Sequence, residues 1–415
     1  MARMAQPLWM VLWLLSGAFL ANACTQADTG STAPAQNANT PQPAPGATTQ
    51  NGNPNTGATA GNGNAATDPQ VVVPAAQGAN VRFMGRVDGS DANGPIISWP
   101  GSQIIIGFNG TALTVDLLEM DQASYSGAAV DNYFSVTIDN VASTRIKLSH
   151  TATSYLVASA LPKGQHQVVL TKLTEGQMGR VQYLGSKTDG TLTFTTAAPT
   201  RRLEFIGDSG TAGYGAGGTF PCTFSAATED ASVAYPAVVG SLLSAEARNL
   251  SYSGKGLVQN RDMVNDSYKT LPVLWERTLP NDENVTTYNP NGWVPQAVVM
   301  TIGGNDFYNQ VLDQNTFNAT VIAFIKKVQA QYSGVHVYLG VSPMLRDDNH
   351  PNQREDGIAY AQAAVTSMAD SHVHYVALPA DLGTNGYGCD EHMTPATHKV
   401  TANAIVQTLK AQLGW

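Results

Sequence analysis

Two rhythms of apolar residues divide the chain. Between residues 71 and 198 the apolar positions come in short alternating or β-branched runs: 103–108 (QIIIGF), 112–118 (ALTVDLL), 133–138 (YFSVTI), 165–172 (QHQVVLTK) and 192–195. Turn-forming residues separate them, namely Asn109-Gly110, Asp139-Asn140, Pro162-Lys163-Gly164 and Asp189-Gly190. Short strands with turns at this spacing predict an all-β sandwich or jelly roll. After Pro199 the rhythm changes. The runs 202–206 (RLEFI), 297–302 (AVVMTI), 335–341 (VHVYLGV) and 373–378 read as buried strands. Segments with helical spacing alternate with them: 235–247 (Val238, Val239, Leu242, Leu243), 317–332 (Phe317, Val321, Phe324, Ile325, Val328), 358–369 and 395–413. Alternating strands and helices predict βαβ units on a parallel sheet, where ligands bind at the carboxyl ends of the strands.

The first 70 residues lack both rhythms. An apolar run at 7–20 follows the single charge of Arg3 and is too short to span a bilayer; it fits a signal segment, with Ala21-Asn22-Ala23 as its cleavage site. Residues 20–24 (LANAC) resemble a bacterial lipoprotein box, in which the cysteine, here Cys24, carries the lipid. Residues 25–70 are mostly Ala, Gly, Asn, Thr, Pro and Gln, with Asp28 and Asp68 the only charges. Such a stretch cannot offset its own ordering entropy and reads as a tether. The expected organisation is a signal peptide (1–23), a tether (24–70), a β domain (71–198) and an α/β domain (199–415). The chain is then exported, as an outer-membrane or cell-surface lipoprotein or as a periplasmic or secreted protein.

Charged residues are 13% of the 415 and the net charge is −9, with no Lys/Arg cluster to offset it. A nucleic-acid or anionic-membrane surface binder is therefore excluded as the first reading. Three cysteines without C-x-x-C spacing make neither a disulfide framework nor a zinc or dithiol site.

Three short motifs stand where strands end. Gly207-Asp208-Ser209 follows RLEFI, and Ser209 is a candidate nucleophile. Gly303-Gly304-Asn305-Asp306 follows AVVMTI, where an Asn305 amide could donate to a developing oxyanion. Cys389-Asp390-Glu391-His392 precedes the last helix, whose cap is Thr394-Pro395, so His392 sits on a loop beside acids, as a general base would. Each alone is ordinary turn chemistry.

Together, in the order Ser, Asn, Asp/His, they resemble the SGNH (GDSL) hydrolase superfamily. That family's second block matches Asn249-Leu250-Ser251-Tyr252-Ser253-Gly254, placing its glycine on Gly254. A β-sandwich followed by such a domain is similar to carbohydrate esterase family 2, on the segments 207–215 (GDSGTAGYG), 253–256 (SGKG), 303–307 (GGNDF) and 388–392 (GCDEH). The resemblance implies a flavodoxin-like three-layer hydrolase domain behind a jelly roll. It implies removal of acetyl groups from plant polysaccharides, with 6-O preference and xylan or glucomannan as substrate types. It casts Ser209 as nucleophile, His392 as base, and Ser209 N–H, Gly254 N–H and the Asn305 amide as the oxyanion hole. The superfamily's Asp-x-x-His-Pro becomes Asp390-Glu391-His392-Met393 here, one residue shorter. Either the Asp390 carboxylate bends back to complete a triad, or a backbone carbonyl or Glu391 orients the ring of a Ser–His dyad.

With Cys24 assigned to lipid, Cys222 and Cys389 lie on loops near the pocket rim, and in an exported chain they are expected to bond, two free buried thiols being the alternative. Tyr214, Trp293, Phe307 and Tyr308 flank the blocks and are candidate sugar platforms. Asp306 is expected to hold the oxyanion loop. His336, His374 and His398 read as packed residues. No histidine–carboxylate set has zinc-ligand spacing, so neither metal nor cofactor is expected. Competing readings are another SGNH esterase (lipase, thioesterase or peptidoglycan O-acetyl esterase) and an inactive glycan-binding protein. The four intact blocks speak against the last.

Overall fold

A computed structural model describes residues 80–125, 127–261, 269–281, 287–348 and 350–415. The expected signal segment, Cys24 and the tether lie outside the described residues. No helix among the described residues is long and apolar enough to cross a membrane.

The N-terminal part is two antiparallel sheets. Strands Val81–Met84, Gln103–Gly110, Gly164–Lys172, Tyr133–Ile138 and Val141–Lys147 lie side by side in that order, with Thr191–Thr193 also pairing Gln103–Gly110. Ser154–Ala158, Leu113–Glu119, Val181–Thr188, Ile96–Ile97 and Val87–Asp88 form the second sheet. Leu113–Glu119 shows why: Leu113, Val115 and Leu117 are buried while Thr114 and Asp116 between them are less so, the period of a half-buried strand. They join Ile104, Ile106 and Leu170 of the other sheet in one core.

The C-terminal part is a five-stranded parallel sheet: β1 (Arg201–Gly207), β2 (Ala245–Ser251), β3 (Ala297–Ile302), β4 (His336–Val341) and β5 (Val373–Tyr375). The spatial order is β2-β1-β3-β4-β5. The chain progresses outward from β1 in two directions, so a switch point opens between the carboxyl ends of β1 and β3. The helices are α1 (Ser209–Ala212), α2 (Tyr235–Leu243), α3 (Leu271–Trp275), α4 (Gln314–Gln331), α5 (Gln353–Met368) and α6 (Pro395–Leu413). Phe317, Val321, Phe324 and Ile325 of α4 and Ala361 of α5 pack with β3 and β4 residues in one core. Tyr235 and Val239 of α2 and Ile405 and Leu409 of α6 pack with the same strands in another. The central strands β1, β3 and β4 thus feed two cores, giving three layers.

Two departures from the sequence expectation matter. The helix expected over 235–247 stops at Leu243, because Ser244 turns left-handed (φ 50°) and the rest becomes edge strand β2. Strands Val141–Lys147 and Val181–Thr188 were not expected. Val141–Lys147 (VASTRIK) is mostly exposed, so it carries no inward apolar alternation to read.

The two parts meet along a buried seam. Arg86 is fully buried; its Nη1 donates to the carbonyl oxygens of Trp275 and Arg277 (2.9 Å for the latter) and its Nη2 lies 3.4 Å from Glu204 on β1. Trp99 Nε1 donates to Thr278 O at 2.9 Å.

Candidate active site

β1 ends at Gly207, where a Cβ would lie 2.0 Å from Thr211 Oγ1, so only glycine lets the strand turn directly into α1. Asp208 caps that helix, its Oδ1 accepting from Gly210 N–H at 3.0 Å, and Ser209 follows as the first helical residue. Burial pushes the Asp208 carboxyl up to about 7, with the nearby Asp306 adding to the rise.

His392 arrives from the opposite side on the loop before α6. Its Nε2 is 2.9 Å from Ser209 Oγ. Its Nδ1 is 2.9 Å from the backbone carbonyl oxygen of Asp390. The Asp390 carboxylate itself turns away: it accepts from Tyr214 O–H at 2.9 Å and Phe224 N–H at 3.0 Å. The expected third-member role of the Asp390 carboxylate is therefore corrected. Asp390 and Glu391 both take left-handed backbone (φ 49° and 56°), and that sharp bend presents the main-chain carbonyl, not the side chain, to the imidazole. Glu391 is not the orienting group either; its Oε2 accepts from Arg346 Nη2 at 3.2 Å. A carbonyl only accepts, so in the neutral ring Nδ1 carries the hydrogen and Nε2 presents its lone pair to Ser209. Burial holds the His392 pKa down, at about 4.

Neighbouring structure fixes this loop. Cys389 is bonded to Cys222, Asp390 N–H donates to Cys222 O at 2.9 Å and Cys389 N–H to Gly215 O at 3.0 Å. The Tyr214 ring lies 4.2 Å from the His392 ring and 3.9 Å from Phe224, and its O–H is 2.9 Å from Tyr125 O–H of the N-terminal part.

Asn305 lies at the carboxyl end of β3, across the switch point. Its Nδ2 donates to Lys255 O at 2.9 Å and sits 3.4 Å from Asp208 Oδ2. Asp306 Oδ1 accepts from the N–H groups of Val258 (2.7 Å) and Gln259 (3.3 Å), tying the β3 loop to the loop after β2. Gly254 is one residue before Lys255, at φ 75°, in the left-handed region that glycine enters freely.

Ser209, Asn305 and His392 line one cavity of about 260 Å³. Its wall also includes Arg261, Tyr308, Met344, Arg346, Asp348 and Glu391. Of the four aromatic platforms expected from sequence, only Tyr308 lines it. Tyr214 backs His392 from behind. Phe307 is fully buried against Phe317 in the helix-side core. Trp293 is buried beneath Arg248, its Nε1 donating to Glu246 at the amino end of β2, the far end of the sheet from Ser209. The charged rim residues were not expected, because a lone Arg or Asp in a loop reads as solvated surface.

His398 is buried, its Nδ1 accepting from Tyr235 N–H at 3.2 Å, as a packed residue would. Glu119, Asp131 and His150 bring three candidate ligand atoms within 4.8 Å of one another, a grouping the sequence spacing did not suggest. Lys147 already pairs with Asp131 at 2.7 Å.

A doubly wound parallel sheet with a serine–histidine pair at its switch point defines a GDSL-type acylhydrolase. Residues 205–400 match the model of the GDSL-like lipase/acylhydrolase family, and residues 83–197 match the carbohydrate esterase 2 N-terminal model. A family two carbohydrate esterase from Clostridium thermocellum, solved with cellohexaose, is 30% identical, with a TM-score of 0.74 over 81% of this chain and 99% of that one. The chain belongs to carbohydrate esterase family 2. Cellulase/esterase CelE of Acetivibrio thermocellus is 30% identical over 357 residues, and this chain spans 40% of its length. An acetylxylan esterase/glucomannan deacetylase of Cellvibrio japonicus is 27% identical, matched over 78% of this chain and 89% of its own.

Proposed function

We propose that this chain is an exported carbohydrate O-acetyl esterase that removes acetyl groups from xylan- or glucomannan-type polysaccharides through a Ser209–His392 dyad. The observation that carries this reading is the 2.9 Å contact between Ser209 Oγ and a buried, neutral His392, set in a small cavity. Drug-sized ligand pockets run to roughly 300–1,000 Å³, so a cavity of about 260 Å³, whose only aliphatic side chains are Met344 and Leu345, suits an acetyl group and a sugar ring, not a long acyl chain.

Ser209 Oγ attacks the acetyl carbonyl carbon while His392 Nε2 takes the serine proton. The negative charge that develops on the carbonyl oxygen is met by Ser209 N–H, Gly254 N–H and the Asn305 amide; one such donor is worth about 3–4 kcal/mol. The tetrahedral adduct collapses, the C–O bond to the sugar breaks, and His392 returns its proton to the departing hydroxyl. Water, deprotonated by His392, then attacks the acetyl-serine, and acetate and free Ser209 result. Asp390 takes part through its carbonyl, which keeps the Nδ1–H tautomer in place.

The same proposal places the β domain at 71–198 and the hydrolase domain at 199–415, behind a signal peptide and a tether that Cys24 anchors through lipid. The test compares acetate, butyrate and octanoate nitrophenyl esters, and acetylated xylan and glucomannan, in wild type and Ser209→Ala. Acetate-selective turnover that vanishes in the variant is the expected result. Rates rising with acyl length would move the assignment to lipid or thioester hydrolysis. Inactivity on every ester, with glycan binding intact, would leave the binding-protein reading.

A further inference from the structure

The N-terminal part does more than pack against the hydrolase domain. The short turn Gly176–Met178 between strands Gly164–Lys172 and Val181–Thr188 reaches over the loop that carries Gly254. Glu175, fully buried, accepts from Ser253 N–H at 2.6 Å through Oε2 and from Ser253 Oγ through Oε1. Gln177 Nε2 donates to Ser253 O at 3.3 Å. All three polar atoms of Ser253 are thus held from across the seam. Tyr252 N–H, one residue earlier, donates to Gly207 O at 3.1 Å, beside the Asp208-Ser209 turn. The turn itself is braced: a Cβ on Gly176 would lie 2.6 Å from Pro280, and Asn281 Nδ2 donates to Gly176 O at 3.3 Å.

The geometry of one peptide unit gives this contact its meaning. In a trans peptide the carbonyl and the N–H point in opposite directions. The carbonyl that Gln177 holds belongs to Ser253, and the N–H of the same peptide plane is that of Gly254. Fixing one end aims the other. A glycine at φ 75° has wide freedom to rotate that plane, so something outside the loop must restrict it. A hydrogen bond accepted by the carbonyl also polarises the amide and strengthens its N–H as a donor. Beneath, buried Lys172 donates to Glu175 O at 3.1 Å and to Thr174 O at 2.7 Å, and Glu229 of the hydrolase domain is buried in the same group. These groups hold the Glu175 backbone from its inner side while its carboxylate grips Ser253.

We propose that Glu175 and Gln177 are positioning residues for the oxyanion hole: the β domain sets the Ser253–Gly254 peptide plane, and with it the donor that meets the acetyl oxygen. This inference rests on the esterase reading above. The test uses the full chain with Gln177→Ala, which alters a partly exposed side chain, and Glu175→Gln, which keeps the volume. In each, kcat and KM for a 6-O-acetylated sugar are measured beside the inhibition constant of methylboronic acid, a tetrahedral mimic of the acetyl adduct. The expected result is a kcat lower by tenfold or more, KM within twofold, and boronate affinity lower by the same factor as kcat/KM, with the thermal midpoint of Gln177→Ala within a few degrees of wild type. A merely structural role would lower the midpoint without weakening boronate more than substrate, and that outcome overturns the inference. So does wild-type kcat in Gln177→Ala and Glu175→Gln alike. Wild-type protein lacking Ser209-dependent deacetylation would instead overturn the esterase reading and this inference with it.

Discussion

Asp390 orients His392 through its main-chain carbonyl, while its carboxylate accepts from Tyr214 O–H and Phe224 N–H. The sequence placed an acid two residues before the base, and a carboxylate–imidazole contact was the natural expectation. Two consecutive left-handed residues reverse the geometry, and the backbone oxygen does the orienting. Asp390→Asn is therefore expected to keep most activity, within about tenfold of wild type, since asparagine tolerates left-handed backbone and retains the carbonyl. In a carboxylate-oriented triad the same change costs about 10⁴ in kcat, so steady-state kinetics of this one variant separates the two arrangements. The protonation of His392 gives a second expectation. Its pKa lies at about 4, below the 6.5 of a free imidazole, so the base stays neutral and competent in mildly acidic solution. The acid limb of kcat/KM should fall near pH 4, not near 6.5. Stability carries the opposite burden: the unfolded chain binds the proton first, so folding free energy is lost as pH falls from 6.5 toward 4. Initial rates with a return jump to pH 7 distinguish protonation of the base from unfolding.

At the scale of elements, legibility followed apolar content. β1 (RRLEFIG), β3 (AVVMTI) and β4 (HVYLGV) each carry a buried, largely apolar stretch, and those stretches are evident in sequence. β2 (AEARNLS) is a polar edge strand, and nothing in its period distinguishes it from the end of α2. The blocks bearing Ser209, Asn305 and His392 were legible because each abuts a strand end or a helix cap. The Cys222–Cys389 bond was an expectation of position, and the structure contains it. The rim charges and the Glu175–Ser253 contact were not legible, because they join residues far apart in sequence through folded geometry alone. The bond closes a chain of 167 residues onto the loop that presents His392. Cys222→Ser is expected to lower stability by about 2–4 kcal/mol and to reduce kcat more than it raises KM, because the loop holding His392 loosens while Arg261, Tyr308 and Asp348 on the other side of the cavity stay. Chemical denaturation and kinetics on the same preparation check both parts.

Over the whole molecule, the seam decides how the two parts behave. Arg86 and Glu204 face each other with no solvent access, and Glu204 also accepts from Trp275 Nε1 at 2.7 Å and Tyr332 O–H at 3.0 Å. Arg86→Met removes the cation and leaves a buried carboxylate uncompensated, which costs about 3–5 kcal/mol. Calorimetry should show the loss as a lower midpoint in one shared transition for both parts, and two separate transitions would refute the coupling. The clamp on Ser253 extends the same seam to the loop that carries Gly254. A protein assembled this way is a poor donor of spare parts. Recombination that carried the hydrolase segment into another gene without its forerunner would deliver Ser209, His392 and Gly254 but leave behind Glu175 and Gln177, the side chains that hold Ser253. On the esterase reading, the pair of segments would have to travel together for full activity to be inherited.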